Sequence, residues 1–141
     1  MKIAVGSDHG GFELKQQIVD FLSKAGHDVE SVGCFDLASV DYPDFADKVC
    51  ALVRSGACER GILICGTGIG MSIAANRHRE IRAALCHEAF TARMSREHNN
   101  ANVLCLGARV IGPELALEIV RAWVAVGFAG GRHQRRLDML S

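Results

Sequence analysis

Short apolar runs alternate with amphipathic stretches along the whole chain, and this alternation narrows the choice of fold more than any other feature. KIAV (Lys2 to Val5), DVESV (Asp28 to Val32), GILIC (Gly61 to Cys65), RAALC (Arg82 to Cys86) and VLCLG (Val103 to Gly107) read as five strands. All but the second are apolar enough to be buried on both faces. Between them, Leu14, Ile18, Phe21, Leu22 and Ala25 keep a helical period that stops at Gly26. Phe45, Ala46, Val49, Cys50 and Val53 repeat it up to Gly56. Pro113 opens a third helical stretch to Val126, striped by Leu115, Ile119, Val120 and Trp123. The alternation predicts an α/β fold with a five-stranded parallel sheet flanked by helices, and it places ligands at the carboxyl ends of the strands. No linker, repeat or low-complexity tract interrupts the 141 residues, so one domain over 1–141 is expected.

Charge and cysteine usage remove several classes of function. Sixteen basic and 16 acidic residues give a formal charge of zero, so no global field attracts nucleic acid or an anionic membrane, and any anion site must be local. No apolar run reaches the ~20 residues of a membrane span, and MKIAVGSDHGG has too short an apolar stretch for a secretory signal. The expected location is the cytoplasm. The six cysteines contain no CxxC, which leaves neither a zinc ribbon nor a thioredoxin motif, and reduced thiols are expected there. Cys50, Cys65, Cys86 and Cys105 lie within apolar segments, where small buried thiols are ordinary packing.

The strand exits carry the polar and glycine residues: GSDHGG, CGTGIG, CHE and GARVIG. Together these loops can form one crevice, although Asp, Ser and Gly are also ordinary turn residues. CGTGIG is not a dinucleotide fingerprint. It follows the third strand, and Met71 or Ile73 stands where a third glycine is required. It also lacks the GK[ST] ending of a phosphate-binding loop. What it offers is a tight turn whose amides, Gly66 to Gly70, can converge on an anion where a helix begins near Met71. A thiol near a helix N-terminus ionises more readily, so Cys65 is a candidate base or nucleophile.

GSDHGGFELK, DYPDFA, CGTGIGMSIAAN, REHNNANVLCLGARVIG and GGRHQRRL together resemble ribose-5-phosphate isomerase type B, and the wider family of sugar-phosphate aldose-ketose isomerases that includes allose and galactose 6-phosphate isomerases. The resemblance covers nearly the whole chain. It implies a three-layer Rossmann-like fold, no metal and no cofactor. It also implies a homodimer, with a tetramer as the alternative, whose active sites are shared between subunits.

Moving a proton between adjacent sugar carbons through an enediolate needs a base, oxyanion donors, a ring opener and a phosphate anchor. By resemblance, Cys65 is the base, the amides around Gly66, Gly68 and Gly70 form the anion hole, and the Thr67 hydroxyl bonds the reacting oxygens. His98 opens the sugar ring, work suited to an imidazole, and Asn99 bonds a sugar hydroxyl or the enediolate. Asp8, His9 and Tyr42 match sugar and phosphate contacts. Arg132 and Arg136 share a helical face if their segment is helical, and with Arg109 they match the phosphate anchor. Arg135 lies off that face, and His27, His78 and His87 have no motif to lift them from surface or core roles. Some family members carry a carboxylate base on the helix after the loop; MSIAAN holds no acid, which places this chain with the cysteine users. In the expected dimer, Cys65 and the C-terminal arginines of one chain meet His98, Asn99 and Arg109 of the other.

Three alternatives stay open: a six-carbon sugar phosphate as substrate, a non-catalytic sugar-phosphate sensor, and a nucleotide or flavin binder. The sensor would have no use for Cys65 and His98 together, and the nucleotide binder lacks its fingerprint.

Overall fold

A computed structural model describes residues 1–140. Its strands are β1 (Lys2–Ser7), β2 (Asp28–Val32), β3 (Arg60–Cys65), β4 (Ala83–Leu85) and β5 (Val103–Gly107). The helices are α1 (Phe12–Lys24), α2 (Tyr42–Arg54), α3 (Ile69–Asn76), α4 (Ala89–Glu97), α5 (Pro113–Ala125) and α6 (Arg132–Asp138), and a single 3-10 turn spans His9–Gly11. The strands form one sheet in the order β2-β1-β3-β5-β4, every neighbouring pair parallel. This is the Rossmann-like α/β arrangement that the alternation and the resemblance lead one to expect.

Strand periodicity sorts the side chains into two cores. Ile3, Val5, Ile62, Ile64, Leu104 and Leu106 face α1 and α5, meeting Ile18, Leu22, Ile119 and Trp123. Ala4, Leu63, Cys65, Val103 and Cys105 face α2 and α3, meeting Phe45, Val49, Cys50 and Met71. Full burial of each large apolar side chain is worth ~1.5–3 kcal/mol, which explains why β1, β3 and β5 read as continuous apolar runs. Helices α1 and α2 end two residues before Gly26 and Gly56, and α5 starts on Pro113, as the pattern predicts.

One strand departs from expectation. RAALC reads as buried on both faces, but β4 has only three residues, each half-buried, and it pairs with β5 alone. The cause is topological: β5 inserts between β3 and β4 and leaves β4 at the sheet edge. The chain runs from β1 outward to β2 and returns past β1 to β3, so the strand order reverses between β1 and β3. A crevice opens at the carboxyl ends of such a pair.

Candidate active site

Cys65 is the last residue of β3, at that reversal. Its side chain is buried, and the Gly68 amide donates to its sulfur at 3.1 Å. An amide aimed at sulfur can hold negative charge there. The turn that delivers it requires glycine: Gly68 has φ +79°, and a Cβ would stand 2.5 Å from Leu85 Cδ1 and 3.0 Å from the Leu106 backbone. Gly70 lies against the face of Tyr42, whose ring would be struck by any added Cβ. Thr67 is exposed, and its Oγ1 accepts the Ile69 amide at 3.2 Å, leaving the hydroxyl proton free to donate outward.

The β1 exit completes this end. Asp8 Oδ1 accepts from the Gly10 and Gly11 amides at 2.9 and 3.2 Å, which caps the 3-10 turn, while the Asp8 amide donates to Ile64 O. The Val40 amide donates to His9 Nδ1 at 3.1 Å, so the proton of a neutral ring sits on Nε2. That bond also draws the segment before Tyr42 toward β1. The β5 exit is tied in by Ala108 N to Cys65 O and Arg109 N to Gly66 O, both 2.9 Å. The Arg109 guanidinium lies over Gly66 and Gly10, within 3.5 and 3.8 Å of where their Cβ atoms would stand. An open cavity of about 570 Å3 lies at this end, lined by Asp8, Val40, Tyr42 and Pro43. A larger one, about 860 Å3, is lined by residues from Asn76 to Arg82 and by Leu137, and holds none of the residues singled out from sequence. The chemistry favours the smaller.

His98, Asn99, Arg132 and Arg136 lie elsewhere. Helix α4 leaves the carboxyl end of β4 and returns to the amino end of β5, so His98 and Asn99 stand at the opposite edge of the sheet from Cys65. Five residues of β5 at ~3.3 Å each put about 16 Å between those ends. Helix α6 joins that second group: His98 and His133 stack with ring centroids 4.2 Å apart. The expected grouping is therefore corrected on two points. Arg109 belongs with Cys65 because it follows a strand, and Arg132 and Arg136 belong with His98 because α5 carries the chain back to the amino end before α6 begins. The segment is helical, so Arg132 and Arg136, four apart, share one face of α6. Of the remaining strand exits, CHE serves structure: Glu88 accepts the Thr91 amide at 2.9 Å, which caps α4 and lowers the carboxyl's proton affinity.

Sequence reasoning passes over the groups that hold this second end together. Arg82 donates to Asn99 O and Asn100 O, and buried Arg96 to Ala101 O at 2.6 Å, Asn100 Oδ1 and Val126 O. Arg60 donates to Trp123 O and Val126 O. Burial, with Arg60 and Arg82 nearby, pushes the Arg96 guanidinium down to about 10. The available signal is an arginine inside an otherwise unstriped helix. Among the other thiols, burial pushes Cys50 up to about 11 and raises Cys58, Cys86 and Cys105, as packed core cysteines behave. Among the described residues no cluster of His, Cys, Asp and Glu is placed to hold a metal ion, and no helix is long and apolar enough to cross a membrane.

Known proteins resemble this chain over nearly its whole length. The ribose/galactose isomerase family model matches residues 3–140. Ribose-5-phosphate isomerase B of Escherichia coli is 48% identical over 140 residues, covering 99% of this chain and 94% of that protein. D-erythrulose-4-phosphate isomerase of Pectobacterium atrosepticum is 46% identical over 142 residues, covering 99% and 93%. The solved structure of Clostridium thermocellum ribose-5-phosphate isomerase B superposes with a TM-score of 0.98 at 56% identity, over 99% of this chain and 95% of that one.

Proposed function

The chain belongs to the ribose/galactose isomerase family and is an aldose-ketose isomerase, and we propose that it interconverts ribose 5-phosphate and ribulose 5-phosphate through an enediolate with Cys65 as base. The observation that carries the reading is the Gly68 amide on the Cys65 sulfur, at a strand exit where the Gly66 to Gly70 turn and Thr67 converge. Cys65 takes the proton from C2 of the open aldose. The C2–H electron pair becomes the C1–C2 double bond, and the carbonyl pair moves to O1, where the loop amides meet it. Return of the proton to C1, with transfer of the O2 proton to O1, gives the ketose with no net oxidation.

The base and the ring opener stand on opposite ends of one chain, so this reading needs a second copy. His98 and Asn99, with Arg132 and Arg136 on the phosphate, are supplied by one subunit to the Cys65, Asp8, His9, Tyr42 and Arg109 of another. An unpaired β4 edge and the exposed Ile69 and Ile73 on α3 offer apolar surface for such an association. The acting unit is one isomerase domain over residues 1–141, working in the cytoplasm.

A second substrate reading is favoured by one observation, the 46% identity to a D-erythrulose-4-phosphate isomerase. The deciding experiment assays ribose 5-phosphate, allose 6-phosphate and D-erythrulose 4-phosphate side by side. The proposal expects the highest kcat/KM on ribose 5-phosphate. A higher value on either other sugar reassigns the substrate, and inactivity on all three with tight binding leaves a sensor.

A further inference from the structure

The imidazoles of His98 and His133 lie face to face, their planes 15° from parallel. Among the described residues no hydrogen bond reaches either ring, so the stack is what sets their orientation. It also bridges two elements. His98 closes α4, whereas His133 sits on α6 between Arg132 and Arg136, the arginines given to the phosphate. We infer that His133 is a positioning residue for His98: it fixes the plane in which His98 presents its nitrogens to the sugar, and it ties that ring to the phosphate-binding helix. The inference rests on the reading of His98 as the ring opener. A general base contributes only while its nitrogen points along the proton it takes, and an exposed side chain left to rotate spends most of its time elsewhere. Phosphate held by α6 would thus bring the imidazole to the sugar in register.

The charges around the pair agree with this role. Partial desolvation, then the neighbouring His98 ring, then Arg132 and Arg136 hold the His133 imidazole below its ordinary proton affinity, opposed by Glu97 on α4. A neutral His133 ring is therefore favoured as the platform against which His98 stacks.

Two variants separate stacking from other roles. His133→Ala removes the platform, and His133→Phe keeps a flat ring without nitrogens. On ribose 5-phosphate the alanine variant is expected to lose about 10- to 100-fold in kcat, the scale of a misplaced catalytic group, with KM nearly unchanged. The phenylalanine variant should recover most of that loss. Wild-type kcat in the alanine variant overturns the inference. So does a phenylalanine variant as poor as alanine, which would make His133 a polar contact, or a loss confined to KM, which would make it part of the phosphate anchor. A readout independent of turnover is the NMR titration of His133, whose midpoint should rise in His98→Ala; an unmoved midpoint means the rings do not stack in solution. If the wild-type enzyme ignores ribose 5-phosphate but the titration behaves as expected, the substrate reading fails and the stack stands.

Discussion

At the carboxyl end of the sheet, polar side chains stand on strand exits, and neighbouring backbone sets their geometry: Gly68 N on the Cys65 sulfur, Gly10 and Gly11 on Asp8, Val40 on His9. At the amino end the groups stand on helix termini and an exposed helix, and arginines on carbonyls hold them: Arg82 under Asn99, Arg96 under Ala101 and Val126. On the proposed reading, the first end positions the proton-transfer group and the second, cationic end captures the phosphate and presents the imidazole. The division of labour predicts that damage to the first end, or to the His98–His133 pair, appears in kcat, and that loss of the second end's arginines appears mainly in KM.

The sharpest test of the first half of that statement is Cys65→Ser. A hydroxyl is a far weaker base than a thiol, so kcat should fall by about 10³-fold or more, within the range attributed to acid-base groups. Circular dichroism and phosphate binding should be unchanged, because the substitution is nearly isosteric. Turnover within tenfold of wild type would move the base elsewhere.

Whether the two ends act together across subunits is tested by complementation. Mixing Cys65→Ser chains with His98→Ala chains under subunit exchange gives hybrids in which one site carries both substitutions and the other neither. Random pairing into about half hybrids then restores about a quarter of wild-type sites. Absence of rescue despite demonstrated exchange would return both ends to one chain, against the ~16 Å that separates them.

Arg132→Ala and Arg136→Ala probe the second end by itself. A lost charge-assisted contact costs ~1.5–3 kcal/mol, or about 10- to 100-fold, expected chiefly in KM. Arg109→Ala, beside Gly66, should lower kcat as well. Identical kinetic signatures for all three would erase the distinction between the ends.

The sequence foretells the carboxyl end better than the amino end, for physical reasons. Strands β2 and β5 fall on the predicted residues because alternation and apolar runs are local signals. Helix α4 has no apolar stripe, since it buries Ala92, Ser95 and Arg96, so periodicity passes over it. The motif resemblance points to Arg109 and His98 but says nothing of their place on the sheet. Their place is set by topology, with strand exits at one end of the sheet and helix exits at the other. The inserted position of β5, which exposes β4, has no counterpart in local pattern.

A smaller effect follows from pH. The folded protein holds His133 below its usual 6.5 while the unfolded chain does not. Just below pH 6.5 the unfolded chain therefore binds more protons, and stability is lost as pH falls through the folded value. Glu88, lowered by its bonds to Thr91, loses its contribution only as pH falls below its ordinary 4.5, outside this window. Denaturation midpoints between pH 7.5 and 5 should accordingly fall in wild type and stay flatter in His133→Phe. Equal slopes would show that the amino end has no such sensitivity.

The smallest expected effect comes from left-handed backbone, which the two ends treat differently. At the carboxyl end the positive φ belongs to Gly68, where Leu85 and Leu106 leave no room for a side chain. At the amino end positive φ falls on the helix-ending Gly26 and Gly56 but also on two residues with side chains, Glu80, at 73°, and Asn100, at 46°. Asparagine tolerates that region; glutamate is strained there. The Glu80 side chain is exposed, and its carbonyl is held by Asn102 Nδ2 at 2.8 Å, so the bend is imposed by a neighbour rather than by its own residue. Glu80→Gly relieves the strain and returns some of the gain as unfolded-chain entropy, leaving about 0.5–1 kcal/mol of added stability by urea denaturation. Activity should not change, because the bend itself is kept. Gly68→Ala should do the reverse, losing both stability and turnover. If Glu80→Gly proves destabilising, the Glu80 side chain makes a contribution that its backbone angle conceals, and the amino end is as finely fitted as the carboxyl end.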